Sequence, residues 1–456
     1  MTSPTRTLFV SHAADGGGAQ RCLLLLLESL DRKRFSPIVV MPGPGKFAEK
    51  VRKLGIPVFF SEMRWWVAIR PHLVKKQELH FCAGLQSRVD ALVELIEREE
   101  IDVVFTNTGV VIEGALAAAI SGKPHIWHLL EVMSADPDLA PIVSVPAFYQ
   151  LVGSLSQGIA AVSQIVADDV LKHCPQAPVK IIHTGMPEDS GGAARNKKEL
   201  FGIAEDAPLI SFLGLLSARK GILHLVDAMP SVIARVPAAQ LVIAGGEGGV
   251  LSQVRNRIKS LNLTQHVHLL GLRSDAADII ASSDVIAVPS LSDPLPLVVL
   301  EAMGAGKPVV GTRSGGCQDM ILDGQTGFVV PPGDSAAMAD KLAFLLMNPQ
   351  IGLTFGSAGR MRLRENFQPA QNAEKFQDLF EGAVQERMAS SLQSDGAKAM
   401  LGFKERFAAV SPPRLLAHRI ESKIRLLYRA MRYGAGRISR KPRIDLVPPF
   451  AWPFWT

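Results

Sequence analysis

Twelve short runs of apolar and β-branched residues recur along this 456-residue chain, each closely followed by Gly or Ser and then by a segment with helical spacing. In order they are TLFVS, PIVVM, IDVVFTN, PHIWH, GIAAVS and VKIIH, then PLISFLG, QLVIAGG, VHLLG, DVIAVPS, KPVVGT and GFVVPP. Apolar runs of this kind belong to strands buried on both faces, and strands that alternate with helices pair in parallel, so the pattern predicts doubly wound α/β sheets. The runs form two sets. Between them GMPEDSGGAARNKK opens a polar, glycine-rich, aperiodic stretch at roughly residues 185 to 206. A chain of this length also exceeds one ordinary core. The expected architecture is two Rossmann-like, doubly wound parallel-sheet domains facing across a cleft, over residues 1–185 and 206–366. A closing helix, 367–390, and a basic tail, 391–456, follow them.

Charge excludes one large class of function. From Lys398 onward there are thirteen Lys and Arg against Glu405, Glu421 and Asp445, a net of +10, while the whole chain carries +6, so residues 1–397 carry about −4. A nucleic-acid binder would be basic over its body, and this one is not. Cys22, Cys82, Cys174 and Cys317 are scattered without a CxxC pair, which argues for reduced cysteines and against a zinc site. The longest leucine run, Leu23 to Leu27, is far short of a membrane span, and the first residues lack the apolar core of a signal peptide. The expected location is cytoplasmic.

In open parallel sheets ligands collect at the carboxyl ends of the strands, so the loops after the runs carry the candidates. Asp15 to Gly18 (DGGG) follows the first run and precedes a helical segment, whose bare N–H groups suit an anion. Lys220, with Arg219 beside it, sits between a strand-end loop and a helix start, where an ammonium can face a diphosphate. The stretch Pro289 to Gly316, PSLSDPLPLVVLEAMGAGKPVVGTRSGG, places Asp293 in a Pro-rich loop and Glu301 inside an apolar run. Pro294 and Pro296 fit only before or within the first turn of a helix, so the helix begins near Leu297. Glu301 within VVLEAM demands a partner, because a buried carboxylate without one costs several kcal/mol.

These pieces occur in an order that resembles the family 4 glycosyltransferases, retaining sugar transferases of GT-B architecture. The resemblance rests on GGAQR, AVSQIV, GLLSARKG, VIAGGEG, VHLLG, the PSLSDPLPLVVLEAMGAGKPVVGT block and GGCQDMILDGQTGFVVPPGD, and covers nearly all of the two-domain body. It implies that Asp293 touches the donor sugar and Glu301 the nucleotide ribose. It implies further that Lys220 binds the diphosphate, that the amides of Leu297 and Val298 hold phosphate oxygens, and that Gly17 and Gly18 line the transfer point. His128, in PHIWHLLE, corresponds to a His near the reacting sugar. Two departures stand out: Leu215 occupies the place of an Arg five residues before the Lys, leaving Arg219 as the substitute cation, and the first acid is Asp rather than Glu.

The resemblance implies a nucleotide-sugar donor, a glycan or lipid-linked acceptor in cell-envelope glycan synthesis, and no cofactor or metal. Asp136-Pro137-Asp138, the single DxD string, lies in a Pro-rich loop and reads as a coincidence. A nucleotide-sugar epimerase of the same architecture and a non-catalytic sugar-nucleotide-binding protein are the competing readings. In the tail, Leu416, Ile420, Ile424, Leu427 and Met431 fall on one arc of a helix and Arg414, Arg425, Arg429 and Arg432 on the other, followed by VPPFAWPFWT. This basic amphipathic helix with an aromatic end is expected to dock on an anionic membrane surface.

Overall fold

A computed structural model of the chain describes residues 3–188 and 192–390, and the tail with its expected amphipathic helix lies outside the described residues. Among the described residues nine strands form in the first domain: β1 (Thr5–Ser11), β2 (Phe35–Met41), β3 (Val58–Phe60), β4 (Val67–Ile69), β5 (Val103–Asn107), β6 (His125–Leu129), β7 (Leu139–Pro141), β8 (Gly158–Ala161) and β9 (Val179–Ile181). Seven of them make one parallel sheet in the order β3-β2-β1-β5-β6-β8-β9. Six more, β10 (Leu209–Leu213), β11 (Gln240–Ala244), β12 (Val267–Gly271), β13 (Val285–Val288), β14 (Val309–Thr312) and β15 (Gly327–Val330), make the second, in the order β12-β11-β10-β13-β14-β15. All twelve apolar runs are strands of these sheets. The fold is the expected pair of doubly wound α/β domains.

Burial explains why those runs were legible. Every residue of β5, β6 and β8 is buried, because helices cover both sheet faces. The strands that the pattern did not predict, β3, β4 and β7, have three residues each. β4 and β7 pair antiparallel outside the main sheet. Three residues carry no period. Their pairing depends on two distant loops meeting.

In each sheet the strand order reverses beside its first strand, between β1 and β5 and between β10 and β13, which opens a crevice at the carboxyl ends of those strands. After β9 the chain runs by the second domain: Ala193 N donates to Asp278 Oδ1 (3.2 Å), Arg195 N to Ser282 Oγ (2.9 Å) and Lys197 Nζ to Ala207 O (2.9 Å).

The last described helix, Pro369–Ser390, returns to the first domain. Phe376 and Phe380 pack edge-on against Phe105 at 5.7 and 5.5 Å, and Phe380 meets Phe9 at 5.9 Å, geometry that aromatic pairs favour. Arg34 grips the same helix through Glu374 and Glu381. Closing on the opposite domain places the crossing point, where Met186 N donates to Phe367 O (2.8 Å), between the two bodies.

Candidate active site

The crevice of the second domain is built from backbone packed too closely to admit side chains. The turn Ala218–Lys220 is a single 3₁₀ turn ended by Gly221 in the left-handed region (φ 66°), where an added Cβ would stand 1.9 Å from Pro289 O. Only glycine permits that approach. The two loops are then laced together: Leu291 N and Ser292 N donate to Arg219 O at 2.7 and 3.2 Å. Across from them Gly315 (φ 143°) braces Asp293, whose O would lie 2.1 Å from a Cβ there. Asp293 N donates to Ser314 O (3.2 Å) and Gly316 N to Asp293 O (3.1 Å).

This lacing brings Lys220 and Asp293 together. Lys220 Nζ donates to Asp293 Oδ2, with the two side chains 19% and 8% exposed, so a cation and a carboxylate expected on neighbouring parts of one donor neutralise each other. The adjoining helix, Leu297–Gly304, starts after Pro296 with no side-chain cap and no acidic residue in its first turn. A helix start of this kind presents its first-turn amides, those of Leu297 and Val298 among them, without a side-chain cap. Arg219 lies alongside, its Nη1 on Ser292 O at 3.3 Å.

Glu301, five residues into that helix, is 14% exposed and meets Arg21 of the first domain, whose Nη1 donates to Glu301 Oε1. The carboxylate in the apolar run has its partner 280 residues away, on the helix Gly18–Ser29. No local spacing could have named Arg21. That helix begins at Gly17 and Gly18 without a side-chain cap, and a Cβ on Gly18 would meet open space. The two domains touch again where Asp319 Oδ2 accepts from Gln164 N (2.7 Å) and lies 3.1 Å from His183 Nε2.

His128 is not brought to this group. Its ring sits against Phe105 (5.7 Å) and Phe376 (5.2 Å), under the returning helix, with Nδ1 2.9 Å from Asn107 Oδ1. Burial lowers its pKa to about 3, so the ring is neutral. Asn107 Nδ2 donates in turn to Ala19 O (3.0 Å), which makes His128 a link from β6 to the first turn of the glycine-led helix. The His at the reversal of the first sheet is His12, directly after β1. It faces Trp65 edge-on at 5.4 Å, lies 3.4 Å from Thr108 Oγ1, and is lowered to about 4 by burial against the bond to Asn107. Its position after the first run, in SHAADGGG, was a readable signal.

Asp136 and Asp138 are turned into their own loop, Asp138 N donating to Asp136 Oδ1 at 2.9 Å. Among the described residues no group of three or more His, Cys, Asp or Glu side chains gathers in a geometry able to hold a metal ion, and no helix is long and apolar enough to cross a membrane. The four cysteines are free, with Cys22 and Cys317 buried.

Comparison with known proteins places this site in a family. Residues 16–190 match the model of Glycosyltransferase Family 4, and residues 194–366 that of Glycosyl transferases group 1. The chain is 23% identical over 298 residues to the N-acetyl-alpha-D-glucosaminyl L-malate synthase of Bacillus anthracis, covering 63% of this chain and 77% of that one. It is 31% identical over 230 residues to a GDP-mannose-dependent alpha-(1-6)-phosphatidylinositol monomannoside mannosyltransferase of Mycolicibacterium smegmatis, covering 47% of this chain and 59% of that one. The crystal structure of Anabaena HepE in complex with UDP-glucose shares the fold, with a TM-score of 0.68 and 22% identity over 84% of this chain and 99% of the other. Two domains of GT-B architecture, each matched by its own half of the family description and joined where Arg21 meets Glu301, make this chain a member of the family 4, group 1 glycosyltransferases.

Proposed function

We propose that the chain transfers a sugar from a nucleotide-diphosphate donor, with retention of configuration and without a metal ion, to a lipid-linked or polysaccharide acceptor in cell-envelope glycan synthesis. The observation that carries the reading is the convergence of Lys220, Asp293 and the uncapped start of helix Leu297–Gly304 at the reversal of the second sheet. Lys220 and the Leu297 and Val298 amides would take the diphosphate, Asp293 the sugar and Glu301 the ribose, with Arg219 in reserve for the cation that Leu215 replaces. The UDP-glucose bound by HepE and the GDP-mannose dependence of the Mycolicibacterium relative support a donor of this class. That relative's phosphatidylinositol-linked substrate supports a lipid-linked acceptor.

On this reading the bond from the anomeric carbon to phosphate lengthens first, and its electron pair passes to the phosphate oxygen. Lys220 and the helix amides stabilise that growing charge, a contribution commonly of several kcal/mol. The acceptor hydroxyl then bonds to the anomeric carbon from the same face and yields its proton to the leaving phosphate. Release of nucleotide from a panel of UDP-, GDP- and ADP-sugars, with and without lipid-linked acceptors, tests the assignment. Acceptor-dependent release is expected, and Glu301→Gln should weaken donor binding with the fold intact. Isomerised sugar without release would mark an epimerase, and binding without turnover a non-catalytic protein.

The tail supplies the membrane half of the proposal. Each Lys or Arg near an anionic surface contributes about 1 kcal/mol, so docking should weaken in high salt while the Trp and Phe residues of VPPFAWPFWT retain part of it. Flotation with anionic vesicles is expected to carry the full chain and to leave behind a version ending at Ala397. Equal flotation of the two would remove the tail from the account.

A further inference from the structure

The turn after β6 in the first domain carries a carboxyl that the donor site does not use. β6 ends at Leu129, and the turn that follows is pinned from behind. Asp169 Oδ2 accepts from Ser134 N (3.0 Å) and from the Tyr149 hydroxyl (2.5 Å), and Met133 N donates to Tyr149 Oη (3.1 Å). Thus anchored, the turn folds Glu131 forward, where its Oε2 accepts from Gly109 N (2.9 Å) and Leu130 N (3.2 Å). Gly109 belongs to the loop after β5, beside the reversal of the first sheet, and Thr108 of that loop meets His12 from the loop after β1. Oε1 of Glu131 has no hydrogen-bond partner among the described residues. Two backbone donors on one oxygen fix the direction of the other.

The groups around this carboxyl come from both domains. Asp136 lies on its own turn, Tyr149 on the helix behind, and Arg219 on the second-domain loop that also carries Lys220. Burial raises Glu131 to about 7, with Asp136 acting in the same direction and the two backbone donors and Arg219 against it. Burial raises Asp136 as well. The carboxyl so placed stands at the carboxyl end of β6, tied to the loop after β5 at the reversal of the first sheet, and within electrostatic reach of Arg219 on the loop that carries Lys220.

We infer that Glu131 binds the nucleophile: its Oε1 accepts the hydrogen bond of the acceptor hydroxyl and aims that oxygen at the anomeric carbon. The inference rests on the transferase reading above. Glu131 keeps its charge through the step: the hydroxyl oxygen forms the new bond to the anomeric carbon, the leaving phosphate takes the old bonding pair, and the hydroxyl proton goes to that phosphate. A charge-assisted hydrogen bond of this kind changes rate by roughly 10- to 100-fold.

Water or a lipid-linked acceptor from the same donor panel serves as the nucleophile, so the test needs no further acceptor identity. Nucleotide release from UDP-glucose, UDP-N-acetylglucosamine and GDP-mannose is followed from pH 5.5 to 8.5 with the full-length protein, Glu131→Gln and Glu131→Asp. Because the carboxylate is the working form and its ordinary value is raised toward 7, the wild-type rate should climb as pH rises through about 7. Glu131→Gln should lose that limb and run at least tenfold slower at pH 8. Glu131→Asp should keep a limb, moved to lower pH, at reduced rate, and it decides the matter should the Gln variant fail to fold. A purely structural Glu131 would leave the limb in place in both variants, which overturns the inference alone. No release by the wild-type chain from any donor, either in water or with the lipid-linked acceptors of the donor panel, overturns the transferase reading, and the inference with it.

Discussion

Lys220→Ala should lower kcat by roughly 10² or more, because on the proposed reaction the ammonium acts on charge that develops only as the diphosphate departs. Its place at the end of a 3₁₀ turn, held by Gly221 against Pro289, leaves little freedom to substitute for it from nearby. Arg219 is a poorer source of the same charge. Its guanidinium bonds the Ser292 carbonyl and lies within electrostatic reach of Glu131 and Asp136 on the other domain, whereas Lys220 bonds Asp293 within the crevice. Arg219→Ala is therefore expected to lose less. Steady-state rates for both variants decide the assignment, and a smaller loss for Lys220→Ala than for Arg219→Ala would show that the wrong cation has been named. Since Asp293 is left unpaired in Lys220→Ala, thermal unfolding of the variant separates lost chemistry from lost fold.

The largest stability effect is expected far from the chemistry. Arg88 and Glu113 form an ion pair with side chains 3% and 0% exposed, 2.9 Å apart. Arg88 also donates to the carbonyls of Ala83 and Phe81, both at 2.7 Å, and Glu113 accepts from Arg64 N at 3.0 Å. The pair thereby ties the segment that carries Trp65 and Trp66 to the helix Leu85–Arg98. Arg88→Met strands a buried carboxylate, at a cost of about 3–5 kcal/mol, or roughly 10 °C in the midpoint of the first domain's transition. Replacing both partners, Arg88→Met with Glu113→Leu, should recover most of that loss, because the penalty lies in the uncompensated charge. A single-variant loss below about 1 kcal/mol would show that water or rearrangement satisfies Glu113.

The residues of the second-domain crevice were legible as a set because each follows a strand by a few positions. Lys220, Asp293 and the start at Leu297 are set by turn glycines and prolines that act within one loop. Their pairing was not legible. Lys220 and Asp293 were expected to serve separate parts of a donor, and they meet directly because Gly221 and Gly315 let three loops close on one another. His128 shows the opposite limit: a His at a strand end looks like a cleft residue until the returning helix covers it with Phe376.

What the sequence determined by itself was everything carried by short-range repetition. Continuous apolar runs must be buried on both faces, and runs alternating with helices must pair in parallel, so twelve strands, two sheets and the crevices at their reversals followed from local pattern. Tertiary structure decided what depends on groups far apart in the chain. Arg21 answers Glu301 across 280 residues, the helix Pro369–Ser390 closes on the domain that began the chain, and Glu131 is aimed by an amide 22 residues before it. A hydrogen bond or ion pair constrains only the two atoms that meet. It leaves no period in the sequence between them, and only the packed domains bring such atoms within reach.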